Sequence, residues 1–204
     1  MQAQRAQRSW SREEGLHPRL APKALALRMK ASADDIHRVE TLTRATGFFS
    51  EEEVSIALES LGECLAKGAA SGYQFLFAEW ARELAGYACF GRIPCTQASY
   101  DLYWLVVAPA LQGRGIGKAL LAAAEAAIAA EGGRRVYIDT SGQAKYQPTR
   151  AFYQRSGYRE VALLEDFYAA SDPKVVYLKI LGDTPNRQRR RSALTSSDAG
   201  SNLG

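Results

Sequence analysis

This chain of 204 residues has few of the residues from which disulfide frameworks and metal sites are built. It contains three cysteines and two histidines. So small and odd a number of cysteines excludes a disulfide-stapled domain. Two histidines are too few for a histidine-built metal site, and we expect no metal. No run approaches the roughly 18 consecutive apolar residues of a transmembrane helix, and we expect no membrane partner.

The charge of the chain lies mainly at its ends. Hydrophobic residues make up 47% and charged residues 24%, which is typical of a globular domain, and the formal net charge is +4. Residues 1–30 hold seven Lys or Arg against two Asp or Glu, and residues 182–204 hold four Arg against two Asp. The segment between them is therefore net negative. A nucleic-acid-binding domain concentrates positive charge on its fold, so we expect no nucleic acid as primary partner.

The composition predicts one domain between two tails. Residues 1–23 are polar and arginine-rich without an apolar period, which predicts a disordered basic arm, and residues 183–204 predict a disordered tail. The arm lacks the apolar run of a secretory signal, so we expect a cytoplasmic protein. The domain is predicted over 24–182. The arginine run at 187–191 is short and lacks interleaved aromatics, so nucleic-acid binding through it is a disfavoured alternative.

Between the tails, apolar periods of two and 3.6 residues alternate. They predict the order β-α-α-β-β-β-α-β-α-β-β, which is a mixed α/β sheet of about seven strands with helices on both faces. The predicted strands are 24–30, 73–81, 84–93, 99–107, 136–140, 158–164 and 175–181. The predicted helices are 33–46, a second one from the Ser50 capping box to Gly68, 115–131 and 148–156.

The segment 106–118 (VVAPALQGRGIGK) carries the clearest chemical signal. It reads as a strand, a short turn and a helix start with glycines at 113, 115 and 117. Glycines let a ligand approach the backbone, and the free N–H groups and dipole of a helix start attract anions. Arg114 and Lys118 add positive charge. Together these features predict a cradle for pyrophosphate.

Two common phosphate motifs do not fit this segment. A Walker A loop would need Gly at 112 and Ser or Thr at 119, where the chain has Gln112 and Ala119. The dinucleotide pattern G-x-G-x-x-G would need Gly at 118 or 120, where the chain has Lys118 and Leu120. The pattern that remains is Gln112-x-x-Gly115-x-Gly117. Further on, 149–158 contains Phe-Tyr-x-x-x-Gly-Tyr.

These two segments resemble the acyl-CoA loop and the later helix-and-strand signature of the GNAT acetyltransferase superfamily, with the resemblance covering roughly 25–181. Three segments (93–96, 99–104 and 166–168) look like a bacterial subgroup of unassigned substrate. The resemblance implies an acyltransferase that uses acetyl-CoA as co-substrate and transfers its acetyl group by direct attack of an amine in a ternary complex. It implies cofactor contacts at Val107, Gln112, Gly113, Arg114, Gly115, Ile116, Gly117 and Lys118. Tyr146 stands where many members have an asparagine that contacts the cofactor.

The resemblance also implies catalytic roles. Tyr153, in the Phe-Tyr signature, would be the acid that protonates the leaving thiolate, and the alternative is a packing residue. Asp101 would be the base that takes a proton from the amine. The alternatives are that Asp101 only makes a turn contact, or that a water relay removes the proton. Glu79 and Asp139 are weaker candidates for the base. The N–H of Val107 or a close neighbour would stabilise the oxyanion. A period of two places Asp101, Tyr103, Leu105 and Val107 on one face unless a bulge intervenes.

Aromatic side chains near two predicted connections are candidates for the acceptor site. Phe48 and Phe49 lie between the first two helices, and Phe167 and Tyr168 lie in the predicted loop before the last strand. Acidic and aromatic groups there would suit a cationic amine. A small amine, an aminoglycoside-like compound, a peptide N-terminus and a protein lysine all stay open as acceptors, as does a homodimer. The alternative function is an acyl-CoA-binding sensor or interaction module with little turnover.

Overall fold

The computed structural model describes residues 25–182, so the predicted arm and tail lie outside the described residues. The strands are β1 (Leu25–Arg28), β2 (Gln74–Trp80), β3 (Glu83–Arg92), β4 (Ser99–Val107), β5 (Arg135–Ser141), β6 (Arg159–Ala169) and β7 (Asp172–Ile180). The α-helices are α1 (Asp34–Ala45), α2 (Glu51–Lys67), α3 (Ile116–Ala130) and α4 (Gln147–Arg155). Within 25–182 the helices are too short or too polar to cross a membrane.

The strands form one seven-stranded sheet in the order β1-β2-β3-β4-β5-β7-β6. Neighbouring strands pair antiparallel except β4 and β5, which are parallel. Helix α3 connects these two strands, as a parallel pair requires a crossover. The predicted element order and the mixed sheet are confirmed.

Two apolar clusters hold helices against opposite faces of the sheet. On one face Val39 of α1 and Leu61 of α2 pack with Phe77 and Tyr87 of the sheet. On the other face Leu120 and Ile128 of α3 and Tyr153 of α4 pack with a larger set of strand residues. The apolar stripe of each helix is therefore buried, as amphipathic spacing requires. We call these the α1/α2 face and the α3/α4 face.

The α2 helix begins where the sequence predicts. The Ser50 hydroxyl accepts a hydrogen bond from the backbone N–H of Glu53 at 3.2 Å, and the Glu53 carboxylate accepts one from the N–H of Ser50 at 2.8 Å. This reciprocal pair satisfies two N–H groups at the helix start. It also fixes the end of the α1–α2 connection, which carries Phe48 and Phe49.

Strands β4 and β5 pair over a short stretch and then separate. Their parallel ladder has the pairs Ser99↔Arg135, Tyr100↔Val136 and Asp101↔Tyr137. Beyond Asp101, β4 continues along β3, while β5 continues along β7. The result is an opening in the sheet, the fork, with its apex at Asp101 and Tyr137 and its mouth at Val107.

A β-bulge changes the direction of the β4 side chains. Cys89 of β3 pairs with Trp104 and Phe90 pairs with Leu102, so Tyr103 is an extra residue. Before the bulge, Tyr100 and Leu102 lie on the α3/α4 face, so Asp101 between them points to the α1/α2 face. After it, Leu105 and Val107 pack on the α3/α4 face. The bulge that the sequence left open is therefore present, and its extra residue shifts the alternation so that Asp101 and Val107 lie on opposite faces.

Candidate active site

The glycine loop at the mouth of the fork leaves open space beside the backbone. Gly113 and Gly115 have φ angles of +74° and +88°, in the left-handed region that favours glycine. A Cβ atom on either residue would meet nothing within 4 Å. Helix α3 has no side-chain cap, and its first internal acceptor, Gly115 O, bonds Ala119 N at 3.0 Å. The N–H groups of 116–118 therefore have no partner among the described residues.

The other residues expected to bind the cofactor surround this loop. Gln112 Nε2 donates a hydrogen bond to the carbonyl oxygen of Val107 at 3.3 Å. Arg114 is half-buried, and Lys118 is exposed. A Cβ on Gly117 would lie 3.6 Å from the Phe152 ring and from Val107, so Gly117 fits α3 closely against α4 and β4. Ile116 is the exception, because its side chain is buried in the core. It can contribute its backbone alone.

Two backbone N–H groups of β4 point into the fork. The N–H of Ala108 donates to Ala85 O on the β3 side at 2.9 Å. Because N–H groups alternate in direction along a strand, those of Leu105 and Val107 point away from β3 and into the fork. An extended molecule in the fork would meet them as a neighbouring strand would.

A pocket lies at the apex of the fork, on the α1/α2 face of the sheet. Its volume is about 360 Å³. Its charged lining residues are Asp101, Asp139 and Lys174. The uncharged polar ones are Thr96, Ser99 and Tyr137, and the apolar ones are Ile93, Leu164 and Val176. The mouth and the apex of one fork thus carry the glycine loop and this pocket.

Asp101 is the carboxylate with the clearest electrostatic perturbation in the pocket. Burial, and after it the negative charge of Asp139, raise the pKa of Asp101 to about 6, while Lys174 opposes the rise. Asp101 forms no ion pair with another residue of 25–182. A group with a pKa this close to neutrality is ionised at pH 7 and still basic enough to accept a proton.

Asp139 and Lys174 form an ion pair beside Asp101. The Lys174 ammonium also lies 4.6 Å from the centre of the Phe167 ring. Phe167 and Tyr168 lie in β6 and not in a loop, which corrects the predicted end of that strand at 164. The pairing of β6 with β7 is irregular between Leu164 and Ala169, where Asp166 has a φ of +52°, and this agrees with the loop-like sequence of the segment.

Tyr168 joins the surroundings of the same pocket. Burial, followed by the negative charge of Asp139, raises the pKa of Tyr168 to about 12. Its ring contacts that of Phe167 edge to face, with a centroid distance of 5.0 Å. Phe167 therefore borders Lys174 of the pocket, and Tyr168 packs against Phe167.

The two aromatic residues of the α1–α2 connection reach the sheet and α4. Phe49 meets the Trp104 ring edge to face at 5.5 Å. Phe48 meets the ring of Tyr146, the residue that precedes α4, at 5.8 Å. Tyr146 thus contacts the α1–α2 connection from the position where the resemblance expected a cofactor ligand.

Tyr153 lies in α4 with 6% of its surface exposed. Its ring centroid is 6.0 Å from that of Tyr158 and 6.2 Å from that of Tyr177. Its hydroxyl forms no hydrogen bond with another residue in the described part of the chain. Burial raises the pKa of Tyr153, so the hydroxyl is protonated at neutral pH.

Glu79 lies in a separate charged cluster. Its carboxylate accepts hydrogen bonds from Arg28 and Arg38, both at 3.0 Å. Arg28 also pairs with the buried Asp35. This network joins β1, α1 and β2, so Glu79 is structural, which agrees with its low rank as a candidate base.

Sequence reasoning did not single out Leu105, Tyr137 or Lys174. Tyr137 and Asp139 alternate with the buried residues Val136 and Ile138. The sequence pattern therefore predicts that Tyr137 and Asp139 lie on the same face of β5. The position of Lys174 depends on the β5–β7 register, in which Ser141 pairs with Lys174. That pairing joins strands far apart in the chain, and no local signal in the sequence reports it.

Comparison with known proteins identifies the family. The model of the acetyltransferase (GNAT) family matches residues 36–158. A crystal structure from Desulfovibrio desulfuricans, of a protein assigned to the GNAT acetyltransferases, has 44% sequence identity, a TM-score of 0.76, and coverage of 77% of this chain and 99% of its own. A search of the curated proteins finds no significant match.

More distant structures share the fold. The PaiA N-acetyltransferase from Thermoplasma acidophilum, in complex with coenzyme A, has 22% identity and a TM-score of 0.59, covering 77% of this chain and 99% of its own. The ribosomal-protein-S18-alanine N-acetyltransferase from Escherichia coli has 15% identity and a TM-score of 0.62, covering 78% and 96%. The family match, the 44% identical relative and the common fold show that this chain belongs to the GNAT acetyltransferase family.

Proposed function

We propose that this chain is an N-acetyltransferase that moves the acetyl group of acetyl-CoA to a primary amine by direct attack in a ternary complex. The observation that carries the proposal is the fork, which joins the glycine loop at its mouth to the Asp101 pocket at its apex. Asp101 and Val107 are six residues apart, or roughly 20 Å at the usual strand rise. An extended pantetheine arm suits such a distance. The coenzyme A complex of a structural neighbour supports the choice of cofactor.

The residues at the mouth fit the phosphate end of acetyl-CoA. The open space beside Gly113 and Gly115 lets a pyrophosphate approach the N–H groups at the start of α3. Arg114 and Lys118 supply positive charge there, and the N–H of Val107 bonds the pantetheine arm as it enters the fork. Gln112 holds the Val107 carbonyl oxygen and so keeps the loop against the strand.

Asp101 acts as the base at the apex. The incoming amine is an ammonium ion at neutral pH, and it must lose a proton before its lone pair can attack the thioester carbonyl. Asp101 accepts that proton through a relay of waters, because its pKa of about 6 leaves it ionised at pH 7. The pocket presents Asp101 on the α1/α2 face, from which the amine enters.

The backbone of β4 stabilises the negative charge that develops on the carbonyl oxygen. Val107 is six residues from Asp101 along β4 and is assigned to the pantetheine arm. Leu105 lies two residues closer to the apex, and its N–H also points into the fork. We therefore assign the oxyanion contact to the Leu105 N–H, a neighbour of Val107.

Tyr153 donates the proton that the leaving sulfur requires. Its hydroxyl is protonated at neutral pH and bonds no other described residue, so it is available to a ligand. In the balanced reaction the C–N bond forms and the C–S bond breaks, while the ammonium nitrogen loses two protons. The first passes to Asp101 before the attack and is then released to solvent. Tyr153 protonates the leaving sulfur, and the second nitrogen proton, lost after the C–N bond has formed, returns through water to the tyrosinate.

A panel of primary amines incubated with acetyl-CoA, with release of the coenzyme A thiol followed over time, tests this function. We expect thiol release only when an amine is present. Asp101→Asn should lower the rate of this release by about 10²–10⁴-fold. Calorimetric titration with coenzyme A is the companion measurement. Binding of coenzyme A without amine-dependent thiol release would favour the acyl-CoA-binding module, and no binding at all would contradict both functions.

A further inference from the structure

The pocket at the apex of the fork contains three charged side chains, two of which neutralise each other. Lys174 and Asp139 form an ion pair, and both line the pocket together with Asp101. Asp101 has no ion-pair partner within residues 25–182. The pocket therefore offers one free carboxylate, which is a counter-ion for one ammonium group.

The positive charge of Lys174 is held in place. Its side chain is 20% exposed, against 41% for Asp139. Its ammonium contacts the face of the Phe167 ring in addition to the Asp139 carboxylate. In the sheet Lys174 pairs with Ser141 on one side and Leu164 on the other. The sheet thus fixes the backbone of Lys174, and the ion pair and the ring face hold its charge at the pocket wall.

The remaining walls of the pocket favour an apolar body. Ile93, Leu164 and Val176 contribute aliphatic surface and Tyr137 contributes an aromatic ring, while Thr96 and Ser99 add two uncharged hydroxyl groups. An alkyl or aryl group gains free energy by leaving water for such a surface. A second ammonium group there would face the charge of Lys174.

We propose that Lys174 is a specificity-determining residue that restricts the acceptor to a primary amine with one positive charge and an apolar body. Diamines and polycationic amines are excluded by the same residue. This inference rests on the proposed function, because it defines the acceptor class of the same site.

Hexylamine and 1,6-diaminohexane test the inference, because they share a six-carbon chain and differ in a second ammonium group. We expect the full-length wild-type chain to prefer hexylamine by at least about tenfold in kcat/KM, through the KM of the diamine. Lys174→Met keeps an apolar stem, removes the charge and frees Asp139, so it should reduce this preference by at least about tenfold. Lys174→Arg keeps the charge and should keep the preference.

The ratio of the two amines is the readout, because a change in Asp101 ionisation affects both amines equally. Equal use of the two amines by the wild type, or an unchanged ratio in Lys174→Met, would overturn the inference. If no amine is acetylated, the proposed function fails separately. The inference is then tested by calorimetry, which measures the affinity of each amine for the chain saturated with coenzyme A. The ratio of the two affinities replaces the ratio of the two kcat/KM values.

Discussion

Asp101 and Tyr137 form the last pair of the parallel β4–β5 ladder, and both line the pocket that opens where the strands separate. One residue pair thus ends the sheet contact and begins the proposed acceptor site. The backbone of Asp101 is held by the sheet, while its side chain is only half-buried. This arrangement fixes the proposed base on a rigid element, as precise proton transfer requires.

Replacement of Gly115 by alanine should weaken coenzyme A binding by about tenfold or more, because the new Cβ would occupy the space that we assign to pyrophosphate. The φ of +88° adds a conformational cost of roughly 1–2 kcal/mol. Calorimetric titration with coenzyme A measures the loss of affinity, and thermal unfolding measures the cost to stability.

Gly132→Ala is the matched control. Gly132 follows α3 at its other end, has a φ of +81°, and would also place its Cβ in open space. It should lower Tm by a similar amount and leave coenzyme A affinity unchanged. Equal affinity losses in the two variants would contradict the phosphate assignment, since the effect would then come from backbone strain.

Local patterns were sufficient to predict the part of the site at the mouth of the fork. The β4 strand is predicted with its observed bounds, and the glycine-rich turn and α3 follow it directly in the chain. The Ser50 capping box is likewise contained in four residues. Such features depend on residues a few positions apart, so the sequence displays them fully.

The apex of the fork depends on contacts between distant segments. The extra residue Tyr103 is visible only when β4 is aligned with β3. The approach of Lys174 to Asp139 requires the β5–β7 register, and the irregular β6–β7 pairing hides the true length of β6. Each of these features depends on strand register, which is set by tertiary packing and not by neighbouring residues.

Tyr153→Phe should lower kcat by roughly 10²–10⁴-fold, the usual effect of a lost general acid, and leave acetyl-CoA affinity nearly unchanged. The substitution keeps the ring and its packing against Tyr158 and Tyr177. Steady-state kinetics with an identified amine separate the two quantities. A raised KM with unchanged kcat would show that the hydroxyl contributes to binding and not to protonation of the thiolate.

Tyr158→Phe is the control for this substitution. Tyr158 lies in the same aromatic cluster, and within residues 25–182 its buried hydroxyl has no hydrogen-bond partner. Its removal should therefore leave kcat unchanged and should not lower Tm, because an unpaired buried polar group costs stability. If both variants lose activity to the same extent, the cluster acts through packing and Tyr153 is not the acid.

The rate of acetyl transfer should rise with pH through about pH 6, where Asp101 ionises. A plot of log kcat/KM against pH for the wild type measures this rise, which reports the free enzyme. In Asp101→Asn the step near pH 6 should disappear along with most of the activity. A step that persists in the variant would assign the ionisation to another group.

Asp101→Asn should also raise the stability of the fold at neutral pH. The pKa of Asp101 is raised in the folded chain from its ordinary value of 3.8 to about 6, so the folded state binds more protons than the unfolded state between these values. Stability from this group is therefore present below about pH 4 and is lost as pH rises through 6. Asparagine carries no charge and avoids that loss. We expect the variant to have a Tm a few degrees above wild type at pH 7.5, because about 1 kcal/mol shifts Tm by roughly 2–4 °C in a domain of this size. Near pH 3.5 we expect no difference in Tm between the two proteins.

Asp35→Asn provides a comparison of opposite sign. The Asp35 carboxylate is buried and accepts hydrogen bonds from Arg28 at 2.9 Å and from the N–H of Ser32 at 2.8 Å. Although burial alone would raise its pKa, these bonds lower it below the usual value, so its contribution to stability is present at neutral pH and is lost on acidification. Asp35→Asn should lower Tm at pH 7.5, whereas Asp101→Asn raises it. A lower Tm in both variants at pH 7.5 would mean that the ionised Asp101 carboxylate stabilises the fold. Its assignment as a base with a raised pKa at the apex of the fork would then be wrong.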